Sequence, residues 1–286
     1  MKKVVGQRLL VCFLLALAFC VLPATAQRKA AIITPEKNPT ASAVAEKLEE
    51  NFAAHFKILD RTLAETVFQS RNLETPFNLS TDEARNLGKA LGADFYILLK
   101  SETIARTSLE KGTYRESYAA LFTVSARSGK LIFWKLVKAE EYEAKEAERK
   151  LFSSLDALSA EAAAAIRDEL NKELNEPETA KIAEPPDENS PESKTFRPPL
   201  PFRRIKPEYT LLANLYSVTA TIDIAVDIDA DGKILRTEIR RWAGYGLDES
   251  VAETVRRMNW RAAEQNGKSL PMRVLLRYNF KKIEDE

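Results

Sequence analysis

Three features of the sequence predict an α/β domain followed by a smaller α+β domain. Helices alternate with strands from Ala30 to Leu174, prolines crowd the stretch from Asn175 to Pro201, and an unbroken period-two pattern runs from Val218 to Ile228. The expected order is a three-layer-like α/β unit over residues 27–174, a Pro/Glu-rich linker over 175–200, and an antiparallel sheet with a packed helix over 201–286. Residues 1–26 read as an export signal.

That signal has a positive start in Lys2, Lys3 and Arg8, an apolar run from Leu9 to Leu22, and the small-residue site Ala24-Thr25-Ala26, so cleavage is expected between Ala26 and Gln27. The alternative is an uncleaved inner-membrane anchor, but the run falls short of the about 20 residues that cross a bilayer. A lipoprotein signal at Cys20 is disfavoured by the bulky Phe19 before it. In the N-terminal unit, Ala30 to Ile33 is a short buried strand. Ala43, Leu48, Phe52 and Phe56 sit near helical spacing and place a helix over Ser42 to His55. Lys57 to Asp60 is the next strand, and a helix with Leu63 and Val67 follows. Ser80-Thr-Asp-Glu83 is a capping box whose helix stops at Gly92. Phe95 to Leu99 is a central strand, Tyr114 to Ala126 and Leu131 to Ala139 form a hairpin around Ser128-Gly-Lys130, and Tyr142 to Leu174 is a long helix.

The linker carries seven prolines between Pro177 and Pro201 among acidic and small residues, which predicts an extended, solvated spacer. Beyond it, Val218, Ala220, Ile222, Ile224, Val226 and Ile228 form one face of a strand, with Thr219, Thr221, Asp223, Ala225 and Asp227 on the other. Asp229 to Gly232 turns the chain and Ile234 to Trp242 returns. Leu247-Asp-Glu249 opens a helix with an apolar stripe of Val251, Val255 and Met258. Asn266-Gly-Lys268 is a turn before a last strand whose inner face is Val274, Leu276, Tyr278 and Phe280.

Composition excludes several chemistries. The 43 basic and 42 acidic side chains nearly cancel, and losing the first 26 residues leaves 40 against 42, so no global charge favours nucleic acid or anionic lipid. Both cysteines, Cys12 and Cys20, lie in the signal, leaving the mature chain without a disulfide, a thiolate nucleophile or a cysteine-ligated metal. His55 is the only histidine, and one imidazole makes a poor metal site. No nucleophile elbow and no phosphate-binding glycine motif occurs. Asp223, Asp227, Asp229 and Asp231 look like a carboxylate cluster, but the first two fall on the polar face of a strand and the others in a turn, so solvated carboxylates are expected. Arg240-Arg241-Trp242 and Arg256-Arg257 with Trp260-Arg261 mix cations and aromatics; core tryptophans with a charged rim are the expected reading. No enzyme and no cofactor is expected.

The C-terminal region resembles the TonB C-terminal domain family, in Asp229-Ala-Asp-Gly-Lys-Ile234, Gly244-Tyr-Gly-Leu-Asp248, Val251-Ala-Glu-Thr-Val-Arg-Arg257, Trp260-Arg-Ala-Ala263 and Asn266-Gly-Lys268 before a strand ending in Phe280. Residues 30–174 resemble the N-terminal domain of TolB-like and CsgG-like envelope proteins, in Phe56-Lys-Ile-Leu-Asp-Arg61, in Gly92-Ala-Asp-Phe-Tyr-Ile97 after the Ala84 to Leu91 helix, and in the hairpin around Ser128-Gly-Lys130. The first resemblance implies non-catalytic binding of a protein or peptide, such as a TonB-dependent outer-membrane receptor, by strand addition. The expected site is the edge formed by Arg273, Val274, Leu275, Leu276, Arg277, Tyr278 and Asn279, with Arg273, Arg277 and Asn279 directed outward. The resemblance leaves two alternatives: a TonB-type energy transducer with the anchor retained, which associates with the membrane only if the signal is uncleaved, or an envelope hydrolase.

Overall fold

The computed structural model describes residues 27–175, 182–187 and 189–282. Residues 1–26, expected to be an export signal and holding Cys12 and Cys20, lie outside the described residues. A five-stranded mixed sheet organises the N-terminal half. Its strands are β1 (Lys29–Ile33), β2 (Lys57–Ile58), β3 (Phe95–Ser108), β4 (Gly112–Ser125) and β5 (Leu131–Glu141), in the order β2-β1-β3-β4-β5. β1 runs parallel to β2 and β3, and the β3-β4-β5 meander is antiparallel.

Both faces of this sheet are buried, which is why Phe95 to Leu99 is apolar throughout rather than alternating. Phe95, Ile97 and Leu99 pack with α1 (Pro39–Ala53) and α4 (Ala144–Asn175). Tyr96 and Leu98 face the opposite core with α2 (Arg61–Gln69) and α3 (Thr81–Leu91). The capping box forms as expected: the Ser80 hydroxyl accepts from the Glu83 amide and the Glu83 carboxylate accepts from the Ser80 amide, while Gly92 ends α3 in the left-handed region. The strand expected over Lys57 to Asp60 is cut to two residues, because the Asp60 carboxylate accepts from the Leu63 amide at 2.8 Å and starts α2.

The C-terminal half holds a three-stranded antiparallel sheet, with β8 (Ala220–Ile228) between β9 (Ile234–Arg241) and β13 (Met272–Phe280). α6 (Leu247–Arg256) covers one face, burying Val251 and Val255 against Ile222, Ile224 and Val226. Each such apolar side chain contributes roughly 1.5–3 kcal/mol. The proline-rich stretch is only partly free of the fold. Its β6 (Phe196–Arg197) pairs with β11 (Ala263–Gln265), which also pairs with β12 (Lys268–Leu270) across the Asn266-Gly267 turn. Its β7 (Leu200–Pro201) pairs with β10 (Trp260–Arg261). The short α5 (Leu211–Leu215) leads into β8.

The two halves share one core. Phe122 and Val124 of β4 and Leu79 lie in the same buried cluster as Ile224, Trp242, Tyr245 and Val255. Asn78 rivets the halves: its amide group donates to the Thr221 and Trp242 carbonyls at 2.8 and 2.7 Å and accepts from the Thr221 amide at 2.9 Å. The Trp242 indole donates to the Gly129 carbonyl at 3.1 Å. Phe196–Arg197 and Leu200–Pro201 of the proline-rich stretch are held in sheets and not in an extended, solvated spacer as expected.

Candidate partner-binding edge

β13 lies at the margin of its sheet, paired to β8 in regular register from Met272 opposite Ile228 to Phe280 opposite Ala220. The other margin, β9, runs beside the N-terminal half: Arg241 forms an isolated bridge with Ser80, and Lys130 lies 3.9 Å from Glu238. In an antiparallel ladder, successive residues turn their backbone groups alternately toward the neighbour and away from it. The Arg273 amide points away from β8, since it donates to the Ala183 carbonyl at 2.9 Å. By alternation Leu275, Arg277 and Asn279 face outward too, while the backbones of Val274, Leu276 and Tyr278 are spent on β8. The seven expected residues thus divide into four that line the margin and three that hold it in place.

The side chains divide the same way. Leu276 is buried and Val274 and Tyr278 are half-buried in the core, whereas Leu275 is 57% exposed on the outer face. Arg273 and Arg277 do not reach past the margin. Arg273 clamps Asp227 with two hydrogen bonds of 2.7 and 2.9 Å, and Arg277 holds Asp223 at the same distances. From β9, Arg236 meets Asp227 at 3.0 Å and Arg241 meets Asp223 at 3.6 Å. Asp223 and Asp227 are therefore buried beneath arginines, not solvated as the alternation alone predicts. Burial works to raise the Asp227 pKa, but hydrogen bonds from Arg273 and Arg236 outweigh it and hold the carboxylate below its usual value. The signal for these clamps was in the chain: Asp223 and Asp227 are four apart on β8, and Arg277 and Arg273 are four apart on its antiparallel neighbour.

At the junction, Gly244, Tyr245 and Gly246 are all left-handed, with φ of 69°, 54° and 76°. This turn throws the Tyr245 ring against Phe122 and Trp134 of the N-terminal half, at 5.9 and 5.0 Å between centroids. The Asp248 carboxylate fastens the turn, accepting from the Ala243 and Gly244 amides at 3.0 and 2.7 Å. Burial pushes its pKa up to about 7 despite those bonds. Grooves of about 480 and 520 Å³ flank the junction. His55 is exposed beyond the end of α1. Among the described residues no three His, Cys, Asp or Glu gather as metal ligands, and no helix is long and apolar enough to cross a membrane. Trp242 and Trp260 are core residues.

No curated protein matches the chain. Among solved structures, the hypothetical protein CT253 from Chlamydia trachomatis is similar at 12% identity, over 46% of this chain and 95% of that one, with a TM-score of 0.32. Lipoprotein GNA1162 from Neisseria meningitidis is similar at 14% identity, over 51% of this chain and 99% of that one, with a TM-score of 0.30. A minor lipoprotein from Acinetobacter baumannii is similar at 9% identity, over 50% and 94%, with a TM-score of 0.27. The region from Lys206 to Lys281, which includes β8, β9, α6 and β13, matches the TonB_C family, the Gram-negative bacterial TonB protein C-terminal.

Proposed function

We propose that this is a non-catalytic protein of the Gram-negative cell envelope, exported by its N-terminal signal, that captures an extended segment of a partner as a new strand beside β13. The observation that carries the reading is the state of that margin: it turns the backbone groups of Leu275, Arg277 and Asn279 outward, while the flanking arginines fold back onto Asp223 and Asp227. Main-chain pairing would supply the affinity and the exposed Leu275 an apolar contact. Each hydrogen bond adds about 0.5–1.5 kcal/mol net, and ordering two chains costs at least about 4 kcal/mol, so a transient complex is expected. The partner class is a protein or peptide, with the terminal segment of a TonB-dependent outer-membrane receptor as the first candidate.

Leu275→Pro tests this reading on the mature chain. Proline deletes one outward amide and leaves the β8 ladder its donors, which an edge strand tolerates. Titration with N-terminal box peptides of outer-membrane transporters should show about two- to tenfold weaker binding, the scale of one lost hydrogen bond, with unchanged circular dichroism. Equal affinity for both chains would refute docking at β13.

A further inference from the structure

The margin of β13 is not empty. The Ala183 carbonyl takes the first outward amide, that of Arg273, at 2.9 Å, and the neighbouring Glu184 carboxylate favours the charged Arg273 side chain. Ala183 is otherwise exposed and belongs to no strand. Outward positions of an extended segment recur every second residue. Two residues on stands Pro185, followed by Pro186, and neither has an N–H to donate. At Pro185 and Pro186 the segment can therefore accept hydrogen bonds from a neighbouring strand but donate none. This segment touches the margin at one backbone hydrogen bond, as a strand would, and its two prolines can add no donor to it.

Resting on the reading of β13 as the docking margin, we propose that residues 182–184 are a built-in competitor for it: a tethered strand fragment that a partner segment must displace. The tether keeps the fragment at an effective concentration in the millimolar range, so a weak contact persists. Apparent affinity for a partner falls by the fraction of time the margin is open. The partner that wins is an extended segment free of proline where it faces Leu275 and Arg277, because it can pair with those outward positions, whereas the tethered fragment bonds the margin at Arg273.

The test uses the mature chain, residues 27–286, and a variant with residues 182–187 replaced by alternating glycine and serine. In the variant the Arg273 amide should exchange with solvent about tenfold faster, while the Leu276 amide, bonded to β8, stays unchanged. Equal Arg273 exchange in both chains overturns the proposal. An Ala183→Cys chain, with no other cysteine after residue 26, gives a second reading on a native backbone: a nitroxide there should broaden the Arg273 and Leu275 amides, and sharp signals would equally overturn it. A seven-residue peptide of alternating valine and threonine should bind the replaced chain about three- to tenfold tighter than the native one; equal affinities refute competition. Binding to neither chain counts against the docking reading, while the strap stands or falls by exchange and broadening.

Discussion

Asp248 and Asn78 show how single polar groups hold the junction between the two halves. Asp248 keeps its proton in the folded protein up to about pH 7, where the unfolded chain has lost it near the ordinary value of 3.8. Its raised pKa contributes stability that is full below about pH 4 and is lost as pH rises through about 7. The difference in melting temperature between the native chain and Asp248→Asn should therefore shrink steadily from pH 4 to pH 7; a constant difference would contradict the assignment. Asp227 has the opposite sign. Its lowered pKa adds stability above the ordinary carboxylate range that fades as pH falls. Arg273→Ala should thus cost about 2 kcal/mol at neutral pH and less in acid, measured by denaturant unfolding. Asn78→Ala strands the Thr221 amide and two carbonyls and should cost about 3 kcal/mol. The Asn78 bridge was not legible in the sequence, since Asn78 and Thr221 stand 143 positions apart. The Ser80 capping box was legible because both partners lie within one helical turn.

Among elements, local patterns marked most strands and helices: the alternation of β8, the turn into β9, the apolar stripe of α6 and the inward residues of β13. What the sequence hid was the fate of the polar faces. A strand face reads as wet when it carries Asp223 and Asp227; the matching four-residue spacing of Arg273 and Arg277 is a signal in the chain, and the register against β9 and β13 sets the arginines over the aspartates. The same register halves the expected binding edge, because alternate residues of β13 give their backbone to β8. The proline-rich stretch followed its composition only in part. Phe196, Arg197 and Leu200 enter sheets because β10 and β11 offer them open margins. A protease cut between residues 182 and 187 should therefore leave the two fragments associated through a gel-filtration column; their separation would contradict the shared core.

Over the whole molecule, the interface between halves predicts that the chain unfolds as one unit. The family-matching region does not hang free: its Trp242 and Tyr245 complete an aromatic core with Phe122 and Trp134. Gly129, whose carbonyl accepts from the Trp242 indole, lies close against α3: it is left-handed with φ of 74° and a β-carbon there would sit 1.9 Å from the Thr81 carbonyl oxygen. Gly129→Ala should lower stability by about 2–4 kcal/mol within a single cooperative transition; two resolved transitions would mean that the halves unfold independently. Because the halves are joined, the proposed docking margin is best tested on a chain of residues 27–286, where β8 and β9 keep their native support. The most direct measurement is a map of amide shifts on that chain as N-terminal box peptides of outer-membrane transporters are added. Capture by strand addition predicts the largest shifts at Leu275, Arg277 and Asn279, with the strap at Ala183 moving with them. Binding accompanied by shifts confined to other surfaces, with β13 silent, would contradict the account.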